Sequence, residues 1–131
     1  MKPTIISRYL LALFFTAAGA NHFLSPEVYL AMIPDWLPAP EILNWISGAA
    51  EIAGGIAILF QRTRKAAAIG LVLLLVAVFP ANLHVAIHGW PGTDLPQWIL
   101  LARLPLQLVF IAWVTYSSEI FRKKVESIPH K

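Results

Sequence analysis

Apolar residues along this chain fall into four long blocks, separated by short polar or proline-rich stretches. The blocks cover about Thr4–Leu24, Glu41–Phe60, Ala66–His88 and Gln97–Ser118. Each is close to the roughly 20 residues that a helix rising about 1.5 Å per residue needs to cross a hydrocarbon core. Between them lie "SPEVYLAMIPDWLPAP", "QRTRK" and "GWPGTDLP", and the basic tail "EIFRKKVESIPHK" follows the fourth. The pattern predicts an all-α fold, an integral membrane four-helix bundle. Residues 1–131 would form a single domain, with residues 119–131 as its tail.

The third block does not stay apolar. After "LVLLLVAV" it continues as "FPANLHVAIH", adding a proline, an asparagine and two histidines before the run ends. Polar side chains inside a span usually face the bundle or a water-filled cavity. They define a depth here. Glu51 lies about ten residues below the start of the second block and Arg103 about six below the start of the fourth. Asn21 and His22 close the first block, and Asn82, His84 and His88 occupy the last third of the third. A chain that runs back and forth brings all of them into the same half of the membrane.

Charge sets the direction of that path. Lys2 and Arg8 accompany the first block, Arg62, Arg64 and Lys65 join the second to the third, and Arg122, Lys123, Lys124 and Lys131 follow the fourth. The other two loops lack Lys and Arg but, with the adjoining span edge, carry Glu27, Asp35, Glu41 and Asp94. The positive-inside rule then predicts cytoplasmic N and C termini, with the polar residues in the outer half. Trp36, Trp45, Trp90 and Trp98 fall near the outer ends of the spans, as an aromatic belt would. The opening "MKPTIISRYLLALFFTAAGA" has the outline of a secretory signal. Arg8 lies deeper than a basic n-region normally extends, so the segment is expected to be retained as a span.

Composition agrees and excludes some chemistry. The 131 residues are 58% hydrophobic and 13% charged, against about a quarter charged in ordinary soluble domains. There is no cysteine, which removes thiol–disulfide exchange, iron–sulfur ligation and cysteine nucleophiles. The net charge of +3 is accounted for by topology, so no nucleic-acid partner is expected.

Arg103 is the only Lys or Arg outside the cytoplasmic flanks, and Glu51 is the only acid well inside a span. An unpaired arginine at that depth costs roughly 2.5 kcal/mol or more on insertion scales. Mutual pairing of Glu51 and Arg103 is the simplest expectation, either as a helix-to-helix brace or as part of a pocket. Ser47, Glu51 and Gly55 share one helical face. The small residues of "SGAAEIAGG" permit close helix approach or leave room for a ligand. Arg103 and Gln107 share a face of the fourth span. Pro105 and Pro80 each deny a donor to a carbonyl one turn back, that of Leu101 and that of Val76. His84 and His88 have the i, i+4 spacing of metal ligands, but a third ligand would have to come from His22 or Glu51, and no metal is expected. Asn82 and His84 stand about 200° apart on an ideal helix, so only one can face the interior unless Pro80 unwinds the turn. Asn82 is the expected one.

Taken together, "AGANHFLSPEVYLAMIPDWLPAP", "ISGAAEIAGGIAIL", "FPANLHVA" and "RLPLQLVFIAW" resemble the DoxX family of small bacterial four-helix membrane proteins. The similarity runs from about Arg8 to Tyr116. It implies a multi-pass protein of the bacterial inner membrane. It also implies a link to membrane oxidoreductase systems, because the family takes its name from a respiratory subunit that oxidises thiosulfate with quinone as acceptor.

The expected function is binding of a quinone or another small molecule in an outer-half polar pocket, as part of a membrane oxidoreductase system. Glu51 and His22 would handle protons as catalytic residues, and Asn21, Ser47, Asn82, His84, Arg103 and Gln107 would bind the ligand. Electrons would come from a bound cofactor or an oxidoreductase partner protein, and "AGGIA" could pack across a homodimer. Transport of a small solute and a non-catalytic scaffold are the alternatives. The apolar inner stretches "LVLLL" and "LVFIAW" argue against a continuous transport path.

Overall fold

A computed structural model describes residues 2–121. The tail residues Arg122, Lys123, Lys124 and Lys131, used above to orient the chain, lie outside them. Six helices follow in order: α1 (Pro3–Leu24), α2 (Pro26–Leu30), α3 (Pro40–Ala57), α4 (Arg64–Ala77), α5 (Phe79–His88) and α6 (Gln97–Ser118). The described residues contain no strand. Proline opens α1, α2 and α3, where its fixed φ suits a first turn and its missing N–H costs nothing. Gly89, at φ 86°, ends α5 in a conformation that other residues rarely adopt.

Three helical segments are long and apolar enough to cross a membrane: Pro3–Leu24, Arg64–His88 and Gln97–Ser118. Their outward faces are apolar, with Leu13, Leu73 and Leu108 more than 60% exposed, as lipid contact demands. The second block is the exception. It becomes α3, 18 residues long, with Glu41, Asn44 and Glu51 diluting its apolar content. The third block is one run of chain but two helices. Val78 interrupts it, donating its N–H to Leu74 at 2.9 Å, and Asn82 N–H returns to the Val78 carbonyl at 3.1 Å. Pro80, which has no N–H to give, lies in the first turn beyond the break.

Glycine brings α1 and α3 together. A Cβ added at Gly19 would lie 2.6 Å from the Gly48 carbonyl oxygen, and one at Gly48 would lie 2.8 Å from His22 Cβ. Further along, Gly55 sits against Phe15 and Gly54 against Leu71 of α4. Gly54 and Gly55 of "AGGIA" thus pack within the chain. Around this seam Leu11, Phe15, Ile58, Ala68, Leu71 and Val114 form the main core. A smaller cluster of Met32, Val85 and Leu100 seats the segment after α1 on α5 and α6.

The end of the molecule that holds Arg8 and Arg64 is tied by polar contacts. Arg8 pairs with Glu119 at 3.1 Å and donates through Nε to the Ser117 carbonyl at 2.6 Å. Ser7 meets the Ser117 hydroxyl at 2.6 Å, and the Trp113 indole donates to Ser7 at 2.8 Å. Arg64 donates to the carbonyls of Ile58 and Leu59, just past α3. These arginines satisfy carbonyls that a helix end leaves without partners.

Candidate functional site

Close approach of α1 to α3 fixes the first wall of the site. His22 is buried in the last turn of α1 and faces Asn44 and Glu51 of α3. Asn44 Nδ2 donates to the His22 carbonyl at 2.9 Å, and Asn44 Oδ1 lies 2.7 Å from His22 Nδ1. A carbonyl only accepts, so the amide nitrogen must face it and the amide oxygen must face the ring. Nδ1 therefore carries a proton. His22 Nε2 is left pointing at Glu51 Oε2, 3.5 Å away. That contact is a long one, and Glu51 Oε2 makes no hydrogen bond through it. Tyr29 of α2 stacks on the imidazole at 3.8 Å between ring centroids, and Asn21 Nδ2 holds its hydroxyl at 2.8 Å.

The second wall comes from α5 and α6. Asn82 Nδ2 donates to Gln107 Oε1 at 3.0 Å, and Gln107 Nε2 donates to the Leu75 carbonyl at the end of α4. The broken third span is thus stitched to α6 by a side-chain amide. One turn earlier on α6, the Arg103 guanidinium stacks over the Trp90 ring, 4.6 Å from its centroid. The Trp90 indole in turn donates to the Val28 carbonyl at 2.9 Å, holding the α2 segment across this end of the helices.

Between the walls lies a cavity of about 420 Å³. Its polar lining includes His22, Asn44, Ser47, Glu51, Asn82, Arg103 and Gln107, and aliphatic and aromatic side chains supply the rest. Two atoms here lack a hydrogen-bond partner among the described residues although water cannot reach them: Glu51 Oε2 and Arg103 Nη1. Buried polar groups are normally satisfied, and an exception calls for an explanation.

Several expected site residues meet at this cavity: Glu51, His22, Ser47, Asn82, Arg103 and Gln107. Two do not. Asn21 is exposed, lies on an outer groove of α1 and reaches the site only through the Tyr29 hydroxyl. His84 points away from Asn82, its ring 4.5 Å from that of His88. No third His, Cys, Asp or Glu joins those two among the described residues. The expected Glu51–Arg103 ion pair is not formed. Glu51 takes His22 instead, because the glycine seam turns α3 toward α1, and Arg103 takes the face of Trp90. Of the expected face, Ser47 and Glu51 line the cavity and Gly55 packs against Phe15 of α1; α3 also buries Asn44 and Gly48. Asn44, Tyr29 and Trp90 were not expected as site residues. Asn44 had a usable signal, being one helical turn from Gly48 and two from Glu51.

The family model described as a domain of unknown function, DUF8561, matches residues 11–118. The chain belongs to the DUF8561 family. That match corrects the DoxX resemblance read from the sequence, whose carrying pieces (a polar helix end, a small-residue helix with a glutamate, an arginine beside a proline) are ones that unrelated helical membrane proteins can share. No curated protein matches the chain, and no solved structure does. The DUF8561 domain covers every residue that lines the cavity.

Proposed function

We propose that this DUF8561 protein binds a small molecule between its helices, within the outer half of the membrane. The observation that carries the reading is a pair of water-excluded atoms on one cavity that make no hydrogen bond, the Glu51 acceptor, which has only the 3.5 Å contact with His22, and the Arg103 donor. A ligand that donates to Glu51 and accepts from Arg103 would satisfy both. Asn82, Ser47 and Gln107 line the space between and would orient it. His22 and Glu51 face each other beside the cavity, where either would exchange a proton with a ligand oxygen, with Asn44 holding the imidazole in place. In this reading α3 is a fourth crossing of a four-helix bundle in the inner membrane, and both termini are cytoplasmic. Arg8 and Arg64 lie at one end of the helices, opposite the end that holds Arg103, and support that orientation.

Quinone is one ligand that fits, since a hydroquinone hydroxyl can donate to Glu51 and a ring oxygen can accept from Arg103. The oxidoreductase system came with the DoxX resemblance and has no other support, so it is not carried forward. Trp90 offers a reporter because it touches Arg103. Trimethylhydroquinone titrated anaerobically into protein in nanodiscs should quench a component of emission that Trp90→Phe removes. Arg103→Gln should weaken the titration at least tenfold, from loss of a charge-assisted contact worth about 1.5–3 kcal/mol. Identical titrations of the native protein and Arg103→Gln would contradict the assignment. Flux of the probe across liposomes that required Glu51 would favour the transporter reading instead.

A further inference from the structure

The two sides of α1 are closed very differently. Toward α3 the seam is sealed by backbone contact at Gly19 and Gly48. Toward α6 the polar and aromatic contacts begin at Ser7 and reach only to Phe14, whose ring stacks on Phe110 at 4.9 Å. Beyond that stack the cavity wall is made of Phe14, Ala18, Leu106 and Phe110, and Phe14 and Leu106 are themselves exposed on the lipid-facing side. Phe14 and Ala18 also line a second feature, a shallow groove along the outside of α1. Leu10, Leu13, Ala17 and Leu24 form its apolar floor. Cavity and groove therefore adjoin, with Phe14 and Ala18 as their common wall on the side of α1 that meets Phe110 of α6.

We infer that the ligand is a single-chain amphiphile that enters sideways from the bilayer between α1 and α6, leaving its apolar chain in the α1 groove. This rests on the binding site proposed above and adds the ligand's class and route. The head must carry both a hydrogen-bond donor and an acceptor, because Glu51 Oε2 accepts and Arg103 Nη1 donates. A chain in the groove contacts Leu13 and Ala17, replacing bilayer lipid at little cost. Tethered to a bound head, the chain meets the groove at a high effective concentration, so its contribution exceeds simple partitioning into the membrane. Hydroxylated rings with an alkyl tail and monoacylglycerols share this chemistry.

The test compares trimethylhydroquinone with the same ring carrying a hexyl or a decyl chain, and with monodecanoylglycerol. Each is titrated into the native protein, Ala17→Trp and Arg103→Gln in nanodiscs, and affinities are corrected for partitioning measured in empty nanodiscs. Ala17 is exposed, so a tryptophan there fills the groove without entering the core. After correction, the decyl ring should bind at least tenfold more tightly than the chainless ring, and Ala17→Trp should abolish that gain while sparing the chainless ring. Monodecanoylglycerol binding that is likewise sensitive to Ala17→Trp supports the route and points to a lipid head; binding of the alkyl rings alone points to a ring head. Equal corrected affinities with and without the chain, still sensitive to Arg103→Gln, overturn the inference while leaving the binding site intact. Absence of any titration sensitive to Arg103→Gln overturns both.

Discussion

Replacing Gly19 with alanine should destabilise the protein, although alanine is the better helix former. The gain from helix propensity is at most about 1 kcal/mol. Against it stands a methyl group 2.6 Å from the Gly48 carbonyl oxygen and 2.9 Å from the Ile52 nitrogen. Both are backbone atoms of α3 and cannot rotate aside, so the two helices must separate. Overpacking of this kind costs on the order of 1–3 kcal/mol for small insertions, which outweighs the propensity gain. Gly19→Leu should prevent stable assembly of α1 on α3 altogether. Gly70 provides the control, because it lies inside α4 with nothing within 4 Å of an added Cβ. Gly70→Ala should leave the melting midpoint unchanged or raise it. Thermal melts of the three variants in one detergent decide the matter, and a Gly19→Ala midpoint at or above that of Gly70→Ala would remove the glycine seam from the account.

The second large effect is expected at Asn44. It is about 1% exposed, and its one side chain serves both the carbonyl and the ring nitrogen of His22. The His22 carbonyl is among the last four of α1 and has no partner within its own helix. Asn44→Ala strands that acceptor and the Nδ1 proton at a buried position, at about 1–3 kcal/mol for each buried group left unsatisfied. It also releases the imidazole that faces Glu51. Melting should therefore fall by several degrees, and any ligand-dependent proton uptake should fall with it. Asn44→Asp separates the two roles. An aspartate still accepts from Nδ1 but cannot donate to the carbonyl, so it should keep His22 oriented while remaining destabilised. Equal stability of Asn44→Ala and the native protein would mean that the clamp contributes nothing.

Much of this architecture is legible in the residues themselves. Long apolar runs leave a chain few options other than helices of membrane-spanning length, and the three that qualify begin and end near the expected positions. The small set of polar residues within those runs also marks out the depth of the cavity, because such residues are too costly to place against lipid. Partner choice is less accessible. Whether Glu51 meets Arg103 or His22 depends on how α3 is rotated about its axis. That rotation is set by Gly19 and Gly48 together, on helices far apart in sequence. An asparagine near a span end, as Asn44 is, resembles an interfacial residue, whereas its distance of two turns from Glu51 puts it on the same stripe. The about 200° between Asn82 and His84 did carry information, since the break at Val78 leaves α5 regular enough for the two to diverge. The family assignment failed for a different reason: the matched pieces describe what a polar pocket in a small helical bundle needs, and different families can meet that need alike.

Under the proposed function, Glu51 and Arg103 are kept for a ligand and not for the fold. The most direct measurement pairs stability with binding in one protein, the double variant Glu51→Gln with Arg103→Met. Both replacements keep most of the side-chain volume and remove a buried charge that has an unsatisfied atom in the folded chain. Exchanging such charges for neutral groups is often neutral or stabilising. The account predicts a melting midpoint equal to or above that of the native protein, together with loss of at least tenfold in affinity for decyl-substituted trimethylhydroquinone. A lowered midpoint with unchanged affinity would show that the two residues brace the helices, and would contradict it.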